Sequence, residues 1–523
     1  MIEGINFIGN EISQKGSATF KAKNPANGND LSGTFHIATS DEINRVMSKA
    51  AHAFRSYRNC RGSEKAAFLE TIADEIMSLG DELIERAMAE SGLPSARLQG
   101  ERGRTCNQLR MFAELLRDGS WLDARIDTAQ PDRTPPKPDI RSMLIPLGPV
   151  VVFGASNFPL AFSTAGGDTA SALASGCPVV VKGHESHPGT NELVSRAIIE
   201  AVKKTGMPDG TFGMVVGGPE TGAALVSHPL AKAVGFTGSF NGGKAIYDLA
   251  QQREEPIPVY AEMGSINPVF LLDEKLQLSA EQLAEQYASS VALGVGQFCT
   301  NPGLIVGIKS ESLDTFKKKL AAQLKETPPG CMLNSKIAEN YRKKRASAFR
   351  QSGIEVMLDP SDETGSTGSG SVATVSAATF IDNEELHEEV FGPYTLIVEC
   401  SDEKERQKVA EKLKGQLTVT FVGTDEELGK QKELIGIVRE KAGRVIFNGV
   451  PTGVEVCSAM QHGGPFPATT DSKFTSVGTR AILRFVRPVA FQDCPQGLLP
   501  DELKDENPLK IFRQVNGTFT SKQ

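Results

Sequence analysis

Through the first part of the chain, apolar residues recur at three- and four-residue intervals. After about residue 147 short apolar runs bounded by glycine take over. The early spacing predicts helices over 41–56, 63–90 and 101–116, with Ser63 as an N-cap and Gly92 and Pro94 as a stop signal. A proline-rich charged stretch at 130–138 should be extended and exposed. Strands are then predicted at 148–154, 178–182, 212–216 and 232–236, alternating with helices at 162–175, 191–205 and 219–227. A second alternating region places strands at 268–272, 304–308, 378–380, 395–399, 417–421 and 444–447, with helices such as 280–293 and 403–413. The Ser/Gly-rich stretch 361–370 reads as a flexible loop, and 488–491 as one strand-like run in an irregular tail.

Short apolar strands alternating with helices imply parallel sheets covered on both faces. In such sheets ligands lie at the carboxyl ends of the strands, which is where the glycines fall. The fold class is therefore α/β.

Composition narrows the function classes. The chain has 523 residues, enough for several folding units. Lys+Arg 56 against Asp+Glu 64 gives a net charge of -8, so no electrostatic case exists for nucleic acid. No run of 18 apolar residues occurs, and the start, Met1-Ile2-Glu3-Gly4, lacks the basic and apolar segments of a signal peptide. No membrane association is expected. The 8 cysteines, at 60, 106, 177, 299, 331, 400, 457 and 494, show no paired spacing and read as free thiols of a cytoplasmic protein.

Two apparent motifs fail on context. Gly368-Ser369-Gly370-Ser371-Val372-Ala373 matches GxGxxA but follows no predicted strand and opens no predicted helix. His184 and His187 lack a third ligand, and no metal is expected. Three other segments gain weight together: Gly154-Ala155-Ser156-Asn157-Phe158-Pro159, Tyr260-Ala261-Glu262-Met263-Gly264-Ser265 and Gly296-Gln297-Phe298-Cys299-Thr300-Asn301. With Gly235-Phe236-Thr237-Gly238-Ser239 and Glu389-Val390-Phe391-Gly392-Pro393 they resemble, in order and surrounding text, the aldehyde dehydrogenase superfamily over about residues 20–495.

The resemblance implies a Rossmann-like cofactor domain (1–129 and 147–263), an α/β catalytic domain (264–480) and a small β oligomerisation arm (130–146 and 484–497), with 498–523 an extension of unread role. A homodimer or dimer-based tetramer follows. It also implies that Cys299 is the nucleophile, because an aldehyde carbon releases hydride only after a nucleophile has added. Asn157 and the Cys299 backbone N–H would hold the oxyanion, and Glu262 would be the general base, its pKa raised by partial burial. The cofactor would be NAD or NADP, held by Lys182, Glu185, Gly238, Ser239, Gly243, Glu389 and Phe391. A carboxylate at Glu185 suits a free ribose hydroxyl better than a 2′-phosphate and favours NAD.

Met460-Gln461-His462-Gly463-Gly464-Pro465-Phe466-Pro467-Ala468-Thr469 departs from the general family. It resembles a narrower branch, the 2,5-dioxovalerate (α-ketoglutarate semialdehyde) dehydrogenases, with NADP-dependent fatty aldehyde dehydrogenases as relatives. His462 then lies either near Cys299 and Glu262 or merely in a loop. Met263-Gly264-Ser265 replaces the commoner Leu-Gly-Gly and puts a side chain close to the cofactor. Arg104 and Gln108, four apart on a helix bordering the substrate tunnel, are expected with Phe158 to meet the substrate, Arg104 offering a bidentate donor to an oxo-acid. The expected reaction is oxidation of 2,5-dioxopentanoate to 2-oxoglutarate. The alternatives are a fatty or general aliphatic aldehyde dehydrogenase, a coenzyme A-acylating enzyme, which would generally lack Glu262, and a non-catalytic relative, which would be expected to lack the nucleophile.

Overall fold

Valine runs such as Val150–Phe153, buried along their whole length, can sit only inside a sheet covered on both faces. Each buried valine side chain contributes about 1.5–3 kcal/mol there. The structure is a computed structural model, and it describes residues 2–360 and 363–522. Its first sheet runs Val259–Glu262, Ala233–Thr237, Val150–Phe153, Val179–Gly183 and Phe212–Val216, all parallel. It ends on the antiparallel strands Asn6–Ile8 and Glu11–Ser13. The chain leaves Val150–Phe153 toward one side of the sheet and returns to fill the other. The strand order therefore reverses between Val150–Phe153 and Ala233–Thr237, where a doubly wound sheet opens its crevice.

A second seven-stranded sheet has the order Glu355–Leu358, Ser371–Ser376, Tyr394–Cys400, Leu304–Ile308, Val269–Leu271, Gln416–Val422 and Ala442–Phe447. A third pairs Val486–Gln492, Ile140–Pro146, Arg125–Asp127, Arg513–Val515 and Thr518–Thr520. The tail beyond residue 498 thus supplies the last two strands of this sheet.

Several sequence expectations shift. The helix expected over 63–90 is two, Gly62–Ser78 and Gly80–Ser91, because Gly80 takes φ 57 and breaks the run. Its start is two residues earlier than Ser63 would set as a cap: the N-cap is Arg61, whose N–H donates to Glu64 at 2.7 Å. The helix expected over 162–175 begins only at Gly167. Residues 378–380 belong to the helix Ala377–Asp382, and the strand is the preceding Ser371–Ser376. Of the loop expected over 361–370, Ser361 and Asp362 lie outside the described residues. The rest is pinned: Thr367–Gly368 pairs with Gly330–Cys331, and the Glu363 carboxylate meets Arg345 at 2.7 Å and accepts the Ser369 N–H at 2.6 Å. No helix among the described residues is long and apolar enough to cross a membrane.

Candidate active site

The crevice of the first sheet widens into a cleft of about 1550 Å³ that also reaches the second sheet. Phe153, Gly154, Asn157, Phe158, Lys182, Glu185, Gly238, Ser239, Glu262, Cys299, Glu389 and Phe391 all line it. One wall is the N-terminus of the helix Phe240–Gln251, capped by Ser239, whose Oγ accepts the Gly242 N–H at 3.3 Å. Free helix N–H groups beside a glycine suit a pyrophosphate, and Lys182 and Glu185 at the end of Val179–Gly183 can reach a ribose. The residues present therefore fit a dinucleotide. Gly243 plays a different part from the one expected: it is buried, and a Cβ there would meet Met263 Cγ and Sδ at 2.7 Å, so it sets helix-to-strand packing.

Cys299 follows a sharply wound segment. Gly294, Val295 and Gly296 have φ of 56, 59 and 63, a left-handed run that a β-branched valine tolerates only under constraint. The constraint is visible. A Cβ on Gly296 would lie 2.2 Å from the Gly392 carbonyl carbon, and the Asn267 side chain donates to the carbonyls of both Cys299 and Asn301 at 2.9 Å. Asn157 is buried and uses Nδ2 to donate to the Gln297 carbonyl at 3.0 Å, which aims its amide at the nucleophile's loop.

Glu262 ends the edge strand Val259–Glu262, and residues 468–470 run antiparallel beside it, with Met263 N donating to Ala468 O and Thr470 N to Ala261 O. This pairing brings two residues of the later chain onto the carboxylate. His462 Nε2 lies 2.9 Å from Glu262 Oε1 and 3.5 Å from Cys299 Sγ, and Ser476 Oγ donates to Glu262 Oε2 at 2.5 Å. Ser476 N in turn donates to the His462 carbonyl at 2.8 Å. Of the two placements open to His462, the structure has the one at the nucleophile. Ser476 carries no sequence signal at all.

The electrostatics overturn one expectation. Burial, the largest influence on Glu262, pushes its pKa up, but His462 and hydrogen bonds from His462, Ser476 and Cys299 outweigh it, and the net direction is down. Glu262 is held as a carboxylate. Burial raises Cys299 well above an ordinary thiol, and Glu262's charge and hydrogen bond raise it further. The resting pair is thus thiol and carboxylate. Glu389, whose carboxylate sits against Gly264 and Ser265, is raised by burial to about 7.

A polar stripe, Arg97, Glu101, Arg104 and Gln108, runs down one face of the helix Ser95–Asp118 toward this site. Glu101 accepts the N–H groups of Leu160 and Ala161 at 2.8 and 3.0 Å. Arg104 lies 5.3 Å over the Phe162 ring, and its buried Nε and Nη2 have no hydrogen-bond partner. Burial lowers its pKa, against raising fields from Glu101, Cys299 and Glu262. Gln108 does not line the cleft; it is buried with its amide nitrogen against Gly167. Arg97 sits 4.8 Å from each of the Phe158 and Phe298 rings and donates to the Asn157 carbonyl at 2.8 Å. The two rings belong to the chain neighbours of Asn157 and Cys299.

A half-buried cysteine paired with a carboxylate, an amide aimed at its loop and a dinucleotide cleft alongside are the parts of an oxidoreductase. The profile of the Aldehyde dehydrogenase family matches residues 12–473, and the chain belongs to that family, whose members oxidise aldehydes with NAD(P). It is 51% identical to the alpha-ketoglutaric semialdehyde dehydrogenase 2 of Azospirillum brasilense over 99% of both chains. It is 46% identical to the alpha-ketoglutaric semialdehyde dehydrogenase of Acinetobacter baylyi over 99% of both. Among solved structures, a 1-pyrroline-5-carboxylate dehydrogenase from Thermus with bound NAD superposes with a TM-score of 0.78 at 21% identity, covering 94% of this chain and 93% of that one. A 3,6-anhydro-L-galactose dehydrogenase in complex with NAP does so with 0.78 at 22%, covering 94% and 99%. These two share the fold.

Proposed function

We propose that this dehydrogenase oxidises 2,5-dioxopentanoate to 2-oxoglutarate, with NAD favoured over NADP. The observation that carries the substrate is Arg104, a guanidinium with two buried, unpartnered nitrogens, close enough to Glu262 for its charge to act on it. A buried donor without an acceptor is costly, and the carboxylate of a short oxo-acid would satisfy it. An aliphatic tail would leave it unsatisfied, which counts against a fatty aldehyde. The names of the two most similar relatives given above point the same way.

In this reading the Cys299 sulfur bonds to the aldehyde carbon while its proton passes to Glu262, already the acceptor of the thiol's hydrogen bond. One Asn157 N–H is held by Gln297, and the other remains for the oxyanion with the Cys299 N–H. A nicotinamide dinucleotide bound in the cleft would supply the hydride acceptor, and the Cys299 adduct that has lost hydride is a thioester. Glu262, oriented by His462 and Ser476, first loses the thiol's proton to solvent, then takes a proton from the attacking water and returns it to sulfur as the carbon–sulfur bond breaks, releasing the acid and the Cys299 thiol. Glu185 and Glu220 both approach Gly218 beside the ribose end of the cleft, a pair of carboxylates unfavourable to a 2′-phosphate.

The cofactor unit is assigned to 1–129 with 147–263, the catalytic unit to 264–480 and the arm to the sheet built on Ile140–Pro146 and Val486–Gln492. Exposed Ile140, Phe512 and Phe519 on or beside that sheet support a homodimer or dimer-based tetramer. Eight free cysteines support a reducing, cytoplasmic setting. Initial rates with 2,5-dioxopentanoate, hexanal and a long-chain aldehyde, each with NAD and NADP, test the assignment. Arg104→Ala should raise KM for the oxo-acid far more than for propanal, and equal effects would refute the carboxylate role.

A further inference from the structure

Three donors of different chemistry converge at the bottom of the cleft: the thiol of Cys299, the imidazole of His462 and the carboxylate of Glu262. Their ligating atoms all lie within 4.8 Å of one another. We propose that they form an inhibitory binding site for a thiophilic divalent cation, Zn²⁺ foremost, whose occupancy switches the enzyme off. The inference does not depend on which aldehyde is the substrate.

Donor type comes first. Thiolate, imidazole nitrogen and carboxylate are the ligands of zinc sites, and three protein ligands with one open position describe a site that still admits water. Geometry agrees. With Zn–N near 2.05 Å and Zn–S near 2.3 Å, tetrahedral coordination sets nitrogen and sulfur about 3.6 Å apart, and nitrogen and oxygen about 3.4 Å. The Cys299 Sγ to His462 Nε2 separation is 3.5 Å, so that edge is already formed. The His462 Nε2 to Glu262 Oε1 separation is 2.9 Å and must open by roughly half an ångström. Access is provided because Cys299 and Glu262 both line the large cleft.

Binding exchanges the thiol proton for the cation: the S–H bond breaks, a sulfur–metal bond forms and the proton leaves to solvent, while His462 shifts to the tautomer protonated on Nδ1 and so frees Nε2 for the metal. The sulfur pair that would attack an aldehyde is then committed, and so is the carboxylate oxygen. Affinity should be moderate and the inhibition reversible. A metal-bound imidazole usually donates its second N–H to an orienting acceptor, whereas His462 Nδ1 is buried without a hydrogen-bond partner.

The full-length enzyme, freed of metal, is titrated with Zn²⁺ and separately with Co²⁺. Expected are one zinc per chain by equilibrium dialysis, loss of activity restored by EDTA, and a thiolate-to-cobalt charge-transfer band in the near ultraviolet. Cys299→Ser should abolish the band and the bound zinc, and His462→Gln should weaken zinc binding by about tenfold or more. Wild-type enzyme with Cys299 blocked by iodoacetamide gives the same test without a substitution and should bind no zinc there. Zinc stoichiometry unchanged in both the serine variant and the alkylated enzyme, or cobalt bound with no thiolate band, would overturn the proposal and put the metal at a site without a cysteine ligand.

Discussion

Arg97 offers a direct test of how the nucleophile and the oxyanion amide are held in register. Its guanidinium touches the rings of Phe158 and Phe298 at 4.8 Å each and the Asn157 carbonyl at 2.8 Å, so one side chain joins the two segments that must act together. Arg97→Met keeps the length of the stem and removes the charge and the donors. Each desolvated cation–π contact is worth about 0.5–2 kcal/mol. The hydrogen bond from a charged donor adds about 1.5–3 kcal/mol. Part of that sum is offset, because burial already lowers the pKa of Arg97 and losing the buried charge relieves desolvation. If about 1.4–2.8 kcal/mol survives in the barrier, kcat falls about 10- to 100-fold. Steady-state kinetics with propanal and with 2,5-dioxopentanoate should show the same factor in kcat, since the damage is to shared geometry. Propanal kcat within about twofold of the parent enzyme, with the fold intact by circular dichroism, would refute the clasp. A change confined to KM for the oxo-acid would make Arg97 a tail-binding group instead.

Three further outcomes are expected. Gly296→Ala places a Cβ at φ 63 against Gly392 and Pro393 backbone atoms 2.2–2.3 Å away, so the melting temperature should drop and activity should be lost; a fully active, equally stable variant would contradict the constraint on the Cys299 loop. Ser476→Ala removes a charge-assisted hydrogen bond to Glu262 of about 1.5–3 kcal/mol, and ester hydrolysis by the cofactor-free enzyme should slow by roughly tenfold or more, an unchanged rate removing Ser476 from the positioning of the base. Glu389, raised from an ordinary 4.5 to about 7, keeps a proton in the folded protein that the unfolded chain has released, so its contribution to stability falls as pH rises from about 4.5 to 7 and is flat above; Glu389→Gln should lessen the fall in melting temperature between pH 5 and pH 8, and parallel curves would show that the carboxyl does not titrate there.

What could be read from the sequence follows from range. The strands Val150–Phe153 and Val179–Gly183 are legible because two-sided burial demands consecutive apolar residues, and the glycines after them mark where backbone approaches a ligand. Cys299, Glu262 and Asn157 are legible through a resemblance, and their meeting in one cleft is a tertiary fact. The break at Gly80 is hidden because the apolar period continues across it. The strands Asn6–Ile8 and Glu11–Ser13 are hidden because three residues are too few to show alternation. Ser476 reaches Glu262 only through the bridge at residues 468–470, which no local pattern encodes. Arg97 did leave a trace: with Glu101 and Arg104 it puts charge on a helical face where apolar residues would ordinarily pack.

The arm sheet also sets an order of events during synthesis. Arg125–Asp127 pairs with Arg513–Val515, and Thr128 donates to the Asn516 side chain across 388 residues of chain. Until residues 513–515 have been made, one edge of Arg125–Asp127 has no partner, whereas every strand of the two large sheets lies before residue 448. An incomplete chain therefore presents an open strand edge, the kind of surface on which nascent or truncated copies aggregate. Closing that edge waits for the hairpin of Arg513–Val515 and Thr518–Thr520, whose first strand is its partner.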